Sequence, residues 1–418
     1  MNREMKDSGI KWLGDVPNYW VVKRGKYNFN KHKYIPGSQA SQYHRLALTM
    51  KGVVPRSKED ADGLQPKDFA SYQLLKKGEL VFKLIDLQNY STSRVGLSSY
   101  TGLVSPAYIV LNASGEVLPE FAEYFYLMLW HRGIFNALGD DGIRSNLSTM
   151  DLLNIPICYP SRKLQRSIVL FLNAKCSEID GLLNDLDAEI KTLSEYKKAL
   201  IAETVTRGLD SNVPMKQSGI PWVGDIPEHW KTIANKYIMH KKKEIVPVYN
   251  GQDIISLSMN GVIVRDLDSG GKMPTTFNGY QHIYPGNLLM CLFDIDVTPR
   301  CIGLIKNDGL TSPAYSQFVM TGEAHAPFYY YYYLKMDNNK ELVHLAKNMR
   351  HSLNEEQFGM IKTILPPIDE QVAIAAFLDE KCLALDQSIS DKQKQIETLK
   401  SYKASLIYEY VTGKKQVI

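Results

Sequence analysis

Two short runs of basic residues are the side chains best suited to chemistry in this sequence, because positive charge can bind phosphate groups. The runs are Lys23, Arg24, Lys26, Lys31 and Lys33, and Lys241, Lys242 and Lys243. Such runs are more often ordinary solvated surface. The whole chain has 49 Lys and Arg against 45 Asp and Glu, a net charge of +4. A contact with nucleic acid would therefore have to come from local clusters.

Motifs of common catalytic sites do not occur in the sequence. The segment LPPI at 365–368 lacks the Asn or Asp that would hold the amine in adenine methylation. Gly271-Lys272 is followed by Met273, and no glycine precedes it at the P-loop spacing. The nine histidines form no HExxH motif, and the five cysteines fall at no metal spacing. We therefore expect a non-catalytic chain that binds no metal or cofactor and has reduced, mostly buried thiols.

Length and composition indicate a globular protein of two or three domains, since the chain has 418 residues, 44% of them hydrophobic and 22% charged. No window approaches 18 uninterrupted apolar residues, and the first residues, MNREMKDSGIKW, lack the apolar run of a signal peptide. We expect a cytoplasmic protein with no membrane partner.

The sequence contains an internal duplication, which fixes the architecture before any element is assigned. DSGIKWLGDVPNYW at 7–20 returns as QSGIPWVGDIPEHW at 217–230. SPAY at 105–108 returns at 312–315, and IRSNL at 143–147 returns as MRHSL at 349–353. The order of the motifs is the same in both copies. We expect their aligned tryptophans to be core or docking residues.

Each copy begins with a mixed segment of short strands. Apolar runs such as GELVFKLI and NLLMCLF are bounded by Gly, Pro, Asn and Asp, which is the pattern of strands and turns. One aromatic helix follows in each copy, at 118–130 and at 325–336. The five consecutive tyrosines Tyr329 to Tyr333 could stack bases, but their alignment with an apolar helix favours packing.

Each copy ends in a long helical stretch with a heptad seam. The first seam runs from Leu172 to Leu200 and the second from Leu378 to Leu406, and lysines occupy some seam positions. About 45 residues of helix make a rod of roughly 65–70 Å, which cannot bury its apolar stripe alone. We therefore expect the two helices to pack against each other, antiparallel if a two-fold axis relates the copies.

The predicted fold is α+β, with two tandem-duplicated mixed α/β domains separated by two long antiparallel coiled-coil helices in pseudo-two-fold symmetry. The predicted domains are residues 1–160 and 209–365, and the helices are 161–208 and 366–413. Two diverged modules on a rigid spacer could read two different half-sites about 34 Å apart on DNA. A coiled-coil scaffold without DNA specificity is the alternative.

Several motifs together resemble the specificity (S) subunit of type I restriction-modification systems, the HsdS family. They are the SGI-W-GDIP-W openings, the SPAY motifs, an R-x-x-L followed by a proline and a Gln-containing helix start, and the LxxYKxxLI-E-VT endings at 193–206 and 399–412. The resemblance covers essentially the whole chain. The first helix start, SRKLQRSI at 161–168, departs from IDEQVAI at 368–374, so we expect it to be capped or docked differently.

This resemblance implies that each mixed domain is a target recognition domain that reads one half of a bipartite asymmetric target in double-stranded DNA. It implies that the helices set the spacing and dock two methyltransferase (M) subunits, with restriction (R) subunits joining the full complex. S-adenosylmethionine, ATP and Mg²⁺ would then belong to the partner subunits. An enzyme that methylates or cleaves DNA on its own is a further alternative, which the missing motifs disfavour.

Residues at matched positions are candidates for generic DNA contacts. Arg144 and Arg350 precede the helices and are followed by Ser145-Asn146 and His351-Ser352. Each arginine could hold a phosphate or fix its domain against the helix pair. Arg94 and Arg300 lie in the loop before SPAY, where we expect DNA contact. The basic runs add Lys33, Lys241 and Lys242.

Residues at unmatched positions are candidates for base reading, because the two half-sites differ. Bidentate recognition uses Arg or Lys toward guanine and Asn or Gln toward adenine. The candidates are Gln88, Asn89 and Tyr90 in the first copy, and Lys272 and Thr275, with Thr276 and Asn278, in the second. The target sequence itself does not follow from the chain.

Overall fold

A computed structural model of the chain describes residues 4–59, 69–88, 92–139, 146–268, 274–346 and 350–417. The chain divides into two compact units. Unit 1 comprises residues 1–186 and 394–418, and unit 2 comprises residues 187–393. Each unit therefore contains one mixed domain and a part of both long helices. The domain boundaries expected at 160, 208 and 365 stay a prediction, because this division cuts through the helices.

Unit 1 is built from short strands and four helical segments within residues 1–186, together with the end of the second long helix. Its strands are β1 (Met5–Asp7), β2 (Asp15–Pro17), β3 (Val21–Arg24), β4 (Phe29–Lys31), β5 (Arg45–Thr49), β6 (Gly52–Arg56), β7 (Gln73–Leu75), β8 (Leu80–Phe82), β9 (Val95–Leu97), β10 (Gly102–Val104), β11 (Ile109–Ala113) and β12 (Pro156–Tyr159). Its helices are α1 (Pro119–His131), α2 (Ile134–Leu138), α3 (Thr149–Asn154) and the first part of α4 (Arg162–Arg207).

Unit 2 repeats this order of elements. Its strands are β13 (Met215–Gln217), β14 (Asp225–Pro227), β15 (Lys231–Ala234), β16 (Met239–Lys242), β17 (Ile255–Ser258), β18 (Gly261–Val264), β19 (Gln281–Ile283), β20 (Leu288–Met290), β21 (Ile302–Leu304), β22 (Gly309–Thr311), β23 (Ser316–Met320) and β24 (Lys362–Leu365). Its helices are the last part of α4, α5 (Ala326–Asn338), α6 (Glu355–Met360) and the first part of α7 (Ile368–Val411), whose last residues belong to unit 1.

One four-stranded sheet has the same strand order in both units, β4-β11-β8-β9 in unit 1 and β16-β23-β20-β21 in unit 2. In unit 1, Leu111 of β11 lies opposite Lys31 of β4. In unit 2, Phe318 of β23 lies opposite Lys241 of β16. Because β11 and β23 directly follow the two SPAY motifs, this register makes Lys31 and Lys241 structural counterparts.

The aromatic helices α1 and α5 lie in the cores. Phe121, Phe125 and Tyr126 of α1 are fully buried. In the tyrosine run of α5, Tyr329, Tyr332 and Tyr333 are fully buried and Tyr331 is 5% exposed. Burial excludes most of this run from stacking on bases, so the packing prediction is confirmed.

The contact between the two long helices is also confirmed, and in each unit the pairing is antiparallel. In unit 1, the rings of Phe171 and Tyr410 lie 4.4 Å apart, and Lys403 Nζ lies 2.6 Å from Asp180 Oδ1. Since the partner number falls as the α4 number rises, the segments run in opposite directions. Buried Leu172, Cys176 and Leu406 pack in the same core.

Unit 2 shows the same antiparallel pairing. Lys392 Nζ forms an ion pair with Glu189, and Lys197 Nζ lies 2.6 Å from Asp386 Oδ2. The Lys197–Asp386 and Lys403–Asp180 pairs occupy matched positions, each residue 206 places from its counterpart. Polar residues within an apolar seam fix the register of paired helices. In the described part of the chain, no helix is both long enough and apolar enough to cross a membrane.

A fully buried glutamine joins the start of each long helix to the aromatic helix of the same unit. Gln165 accepts a hydrogen bond from the backbone of Leu118 (2.8 Å) and donates to the Pro160 carbonyl (2.8 Å). Gln371 accepts from His325 (2.8 Å) and donates to the carbonyl of Pro366 (2.8 Å). These hydrogen bonds explain why both copies place a glutamine at this point.

The two helix starts differ at the residue before this glutamine, as their sequences predicted. In unit 2, Trp230 Nε1 donates to Glu370 Oε2 at 2.9 Å, and Trp230 is fully buried. The matched residue in unit 1 is Leu164, and Trp20 Nε1 has no hydrogen-bond partner among the described residues.

We expect Glu370→Leu, which copies unit 1, to destabilise unit 2 by about 1–3 kcal/mol, because it leaves a buried indole N–H unpaired. Thermal unfolding followed by tryptophan fluorescence measures the effect. Glu370→Gln is the control, since its amide oxygen still accepts this hydrogen bond. An unchanged transition in Glu370→Leu would show that the indole hydrogen bond does not contribute.

Glu123 of α1 gives the stability of unit 1 a pH dependence. Its carboxyl accepts a hydrogen bond from the backbone N–H of Leu97 at 2.8 Å, and burial raises its pKa to about 7. A carboxyl whose pKa is raised in the folded state costs stability progressively as the pH rises from about 4.5 to 7. We expect Glu123→Gln to stabilise the protein on the order of 2 kcal/mol at pH 8 and not at pH 4. Equal shifts of the melting temperature at both pH values would contradict this cause.

Candidate nucleic-acid interface

The SPAY turns, residues 105–108 and 312–315, are held by the same hydrogen bonds in both units. Gln73 Nε2 donates to the carbonyls of Ser105 (2.9 Å) and Tyr108 (2.7 Å). Gln281 Nε2 donates to the carbonyls of Ser312 (2.8 Å) and Tyr315 (2.7 Å). Both glutamines are buried. Each turn is therefore fixed to a neighbouring strand by an internal amide.

In unit 1 a surface cleft of about 220 Å³ opens beside this turn. We call it the SPAY cleft, and it is lined by Lys31, Lys33, Gln73, Leu84, Ile85, Pro106, Ala107, Tyr108, Ile109, Leu147, Ser148 and Thr149. The lining brings together β4, the SPAY turn, the loop after β8 and the start of α3. These segments are far apart in sequence, and both lysines of the lining come from β4 and the residues that follow it.

The loop after β8 in unit 1 and the loop after β20 in unit 2 share a backbone feature. Asp86 has φ = 54° and Asp294 has φ = 46°, a left-handed conformation that Asp adopts more readily than most residues. The backbone N–H of Asp86 donates to Asn146 Oδ1 at 3.2 Å. That of Asp294 donates to Ser352 Oγ at 3.4 Å.

Backbone hydrogen bonds fix these loops to the segments before α3 and α6. The N–H of Leu147 donates to the Leu84 carbonyl at 3.0 Å, and the N–H of Leu353 donates to the Leu292 carbonyl at 2.8 Å. The predicted site residues Asn146 and Ser352 are therefore brought next to the loops that contain Gln88 and Arg300. In this structure their side chains accept hydrogen bonds from the loop backbone and so help to fix the loop conformation.

Arg94 lies inside the fold. It is fully buried, and its Nη2 donates to the carbonyl of Asp86 at 2.6 Å. The expected DNA contact of Arg94 does not fit this burial, because a phosphate on the surface cannot reach the guanidinium. Burial and the nearby charge of Arg94 together lower the pKa of Lys83 in the same loop.

Arg300 also faces the protein, although its side chain remains 17% exposed. Its Nε lies 4.0 Å from Asp337 Oδ2 of α5. Asp337 in turn accepts a hydrogen bond from the backbone N–H of Cys301 at 2.8 Å. Arg300 therefore supports its loop through α5, and its DNA contact stays a prediction.

The predicted lysines of unit 2 have acidic or aromatic neighbours. Lys241 Nζ lies 3.8 Å from Glu355 Oε2 at the start of α6. Lys242 Nζ lies 3.9 Å from Glu244 Oε2 and 3.5 Å from the centre of the Tyr284 ring. In unit 1, Lys33 is exposed on the rim of the SPAY cleft.

The remaining candidates divide into exposed residues and residues that the structure does not describe. Gln88, Asn146, Thr275 and Arg350 are exposed. His351 is partly buried and has φ = 41°, and its carbonyl accepts a hydrogen bond from the backbone N–H of Ile295 at 3.2 Å. The candidates outside the described residues are Asn89, Tyr90, Arg144, Ser145 and Lys272.

Sequence reasoning missed three kinds of residue in this region: the two glutamines of the SPAY turns, the two left-handed aspartates, and Thr149 with Glu355 at the starts of α3 and α6. The glutamines and aspartates recur at matched positions in the duplication, which is a signal that could have identified them. Among the described residues, no group of three or more His, Cys, Asp or Glu side chains could hold a metal ion.

Known proteins share both the sequence pattern and the fold. No protein-family profile matches the chain. The type I restriction enzyme MjaX specificity subunit of Methanocaldococcus jannaschii is 22% identical over an alignment of 455 residues, which covers 97% of this chain and 96% of that protein. The MjaVIII specificity subunit of the same organism is 23% identical over 337 residues, 76% of this chain and 75% of that protein. The resemblance to type I specificity subunits is confirmed.

A solved chain from a study of type I R-M system assembly and conformational transition matches with a TM-score of 0.69. The match covers 95% of this chain and 98% of that one at 13% identity. At this identity the likeness concerns the fold. The predicted α+β fold is therefore confirmed, and the chain has the two long helices that its sequence predicted.

Proposed function

We propose that this chain is the DNA sequence-specificity subunit of a type I restriction-modification complex. Each mixed domain reads one half of a bipartite asymmetric target in double-stranded DNA, and the long helices set the distance between the halves. The chain itself is non-catalytic and acts in the cytoplasm. Methylation and cleavage belong to methyltransferase and restriction subunits, which bind S-adenosylmethionine, ATP and Mg²⁺.

The single observation that carries this proposal is a constant framework with variable loop residues. Both units fix a SPAY turn with a buried glutamine and hold a left-handed aspartate in the loop that follows the matched strand. The exposed residues of these loops differ, as Gln88 and its counterpart Asp296 illustrate. Two modules that bind DNA in the same orientation but read different half-sites need this combination. Contacts to the DNA backbone position the protein, and contacts to the bases specify the sequence.

Matched exposed tyrosines support docking of the same partner on both helices. Tyr196 of α4 is 56% exposed and Tyr402 of α7 is 54% exposed, and both belong to the duplicated YK motif. Aromatic residues such as tyrosine are enriched at protein interfaces relative to the rest of the protein surface. Two equivalent positions fit two methyltransferase subunits.

Equilibrium DNA binding by the chain assembled with its methyltransferase subunits tests the proposal against a coiled-coil scaffold. A specificity subunit gives sequence-specific binding whose affinity falls steeply between 50 and 200 mM salt, as expected for a complex with phosphate contacts. A scaffold gives an assembly that shifts no duplex. Labelled S-adenosylmethionine with the isolated chain tests the remaining alternative, since methyl transfer by this chain alone would contradict a non-catalytic role.

A further inference from the structure

The SPAY cleft of unit 1 combines positive charge with a rigid floor. Lys31 and Lys33 lie on its rim, and neither forms an ion pair with another described residue. Gln73 is 2% exposed and fixes the SPAY turn below them. Ser148 and Thr149 also line the cleft and add hydroxyl groups. Two ammonium groups and two hydroxyls around one cleft form a site for an anion with several oxygens.

The cleft is smaller than the sites that usually bind small molecules or cofactors. Small-molecule and cofactor sites typically measure about 300–1,000 Å³ and are mostly apolar. This cleft measures about 220 Å³ and is open to solvent through its lysines. A single phosphate group of a nucleic-acid backbone fits both the volume and the charge.

The corresponding place in unit 2 has a different charge. Lys31 and Lys241 are counterparts by strand register. Thr149 and Glu355 are counterparts because each directly follows the N-cap of a capping box, Ser148 in α3 and Asn354 in α6. Unit 2 therefore places a carboxylate where unit 1 has a hydroxyl, and this carboxylate lies 3.8 Å from Lys241.

We propose that the SPAY cleft of unit 1 binds one phosphate of the DNA backbone, and that Glu355 prevents the equivalent contact in unit 2 by neutralising Lys241. The inference rests on the proposed function, because it names the part of the DNA that this surface binds. The two half-sites are then held with unequal phosphate contacts. Phosphate contacts position a protein without reading bases, so this asymmetry changes affinity and leaves the recognised sequence the same.

Opposite changes of charge at the two matched positions test the proposal in the complex of the full chain with its methyltransferase subunits. Fluorescence anisotropy on a duplex carrying the methylated motif gives the affinity between 50 and 200 mM NaCl. Thr149→Glu is expected to weaken binding about tenfold and to reduce the slope of log K against log salt by about 1, since one phosphate contact contributes about 0.9. Glu355→Gln is expected to strengthen binding and to steepen the slope by about 1, because it frees Lys241.

Two variants separate charge from shape and from folding. Thr149→Gln matches the size of the glutamate without its charge and is expected to keep the slope of the wild type. Lys31→Gln removes a cleft lysine from the exposed surface and is expected to reduce the slope by about 1. A glutamate at position 149 suits the start of a helix, and unit 2 already has one at this place.

The outcomes distinguish a failure of the phosphate site from a failure of the proposed function. Unchanged slopes in Thr149→Glu and Lys31→Gln, with sequence-specific binding intact, would overturn the phosphate site and leave the proposed function standing. Equal losses in Thr149→Glu and Thr149→Gln would also overturn it, because they would reflect shape alone. Absence of sequence-specific binding in the wild-type complex would overturn the proposed function and this inference with it.

Discussion

Replacing residues 21–140 with the corresponding segment of another type I specificity subunit is expected to change one half of the methylated sequence and to leave the other half unchanged. The segment carries the SPAY turn, the loop of Asp86 and about half of the largest hydrophobic core of unit 1. It joins the rest of unit 1 through the backbone pairing of β3 with β12, such as Val22 opposite Cys158, and through core contacts such as that of Phe121 with Trp20.

The matched control is the exchange of residues 231–346, the counterpart segment of unit 2. It is expected to change the other half of the target and to keep the half that the first exchange alters. Methylation mapping of cells that contain each hybrid gives both half-sequences directly. A hybrid that changes both halves would contradict independent reading by the two domains.

Inserting seven residues into both long helices is expected to lengthen the gap between the half-sites by about three base pairs. Seven residues add about 10.5 Å of helix, and base pairs are about 3.4 Å apart. The insertions belong after residues 186 and 393, where the compact units divide. The Lys403–Asp180 pair of unit 1 and the Lys392–Glu189 and Lys197–Asp386 pairs of unit 2 are then all retained.

An insertion in α4 alone is the control for this prediction. It shifts one helix against the other by two turns, so the ion pairs on one side of the insertion cannot form with the partners that they have now. We expect loss of methylation in that variant. A paired insertion that alters either half-sequence, or that leaves the gap unchanged, would show that the helices do not set the spacing.

The sequence predicted the large features of this fold because they are repeated and long. Trp20 and Trp230 marked the duplication, and both are fully buried as expected for core residues. The heptad seam predicted helices that lie against each other, and it included the lysines at 197 and 403 that pair with Asp386 and Asp180. A heptad pattern that persists over the whole seam is a signal that local exceptions do not erase.

The candidate site was harder to predict, because its residues acquire their roles from tertiary contacts. Arg94 has the residue type of a DNA contact, yet it is buried against the carbonyl of Asp86. SPAY was recognised as a repeated motif, but the amide of Gln73 that fixes it comes from a strand more than thirty residues earlier. Thr149 and Glu355 differ between the copies, and only the folded structure places them near Lys31 and Lys241.

Genome-wide mapping of adenine methylation, in cells with and without this chain, shows whether the chain selects the DNA that is methylated. We expect one split motif, two short sequences separated by a fixed gap, to lose methylation when the chain is removed and to regain it when the chain is restored. A methylation pattern that does not change when the chain is removed, in cells that contain active methyltransferase subunits, would contradict the claim that this chain selects their DNA target.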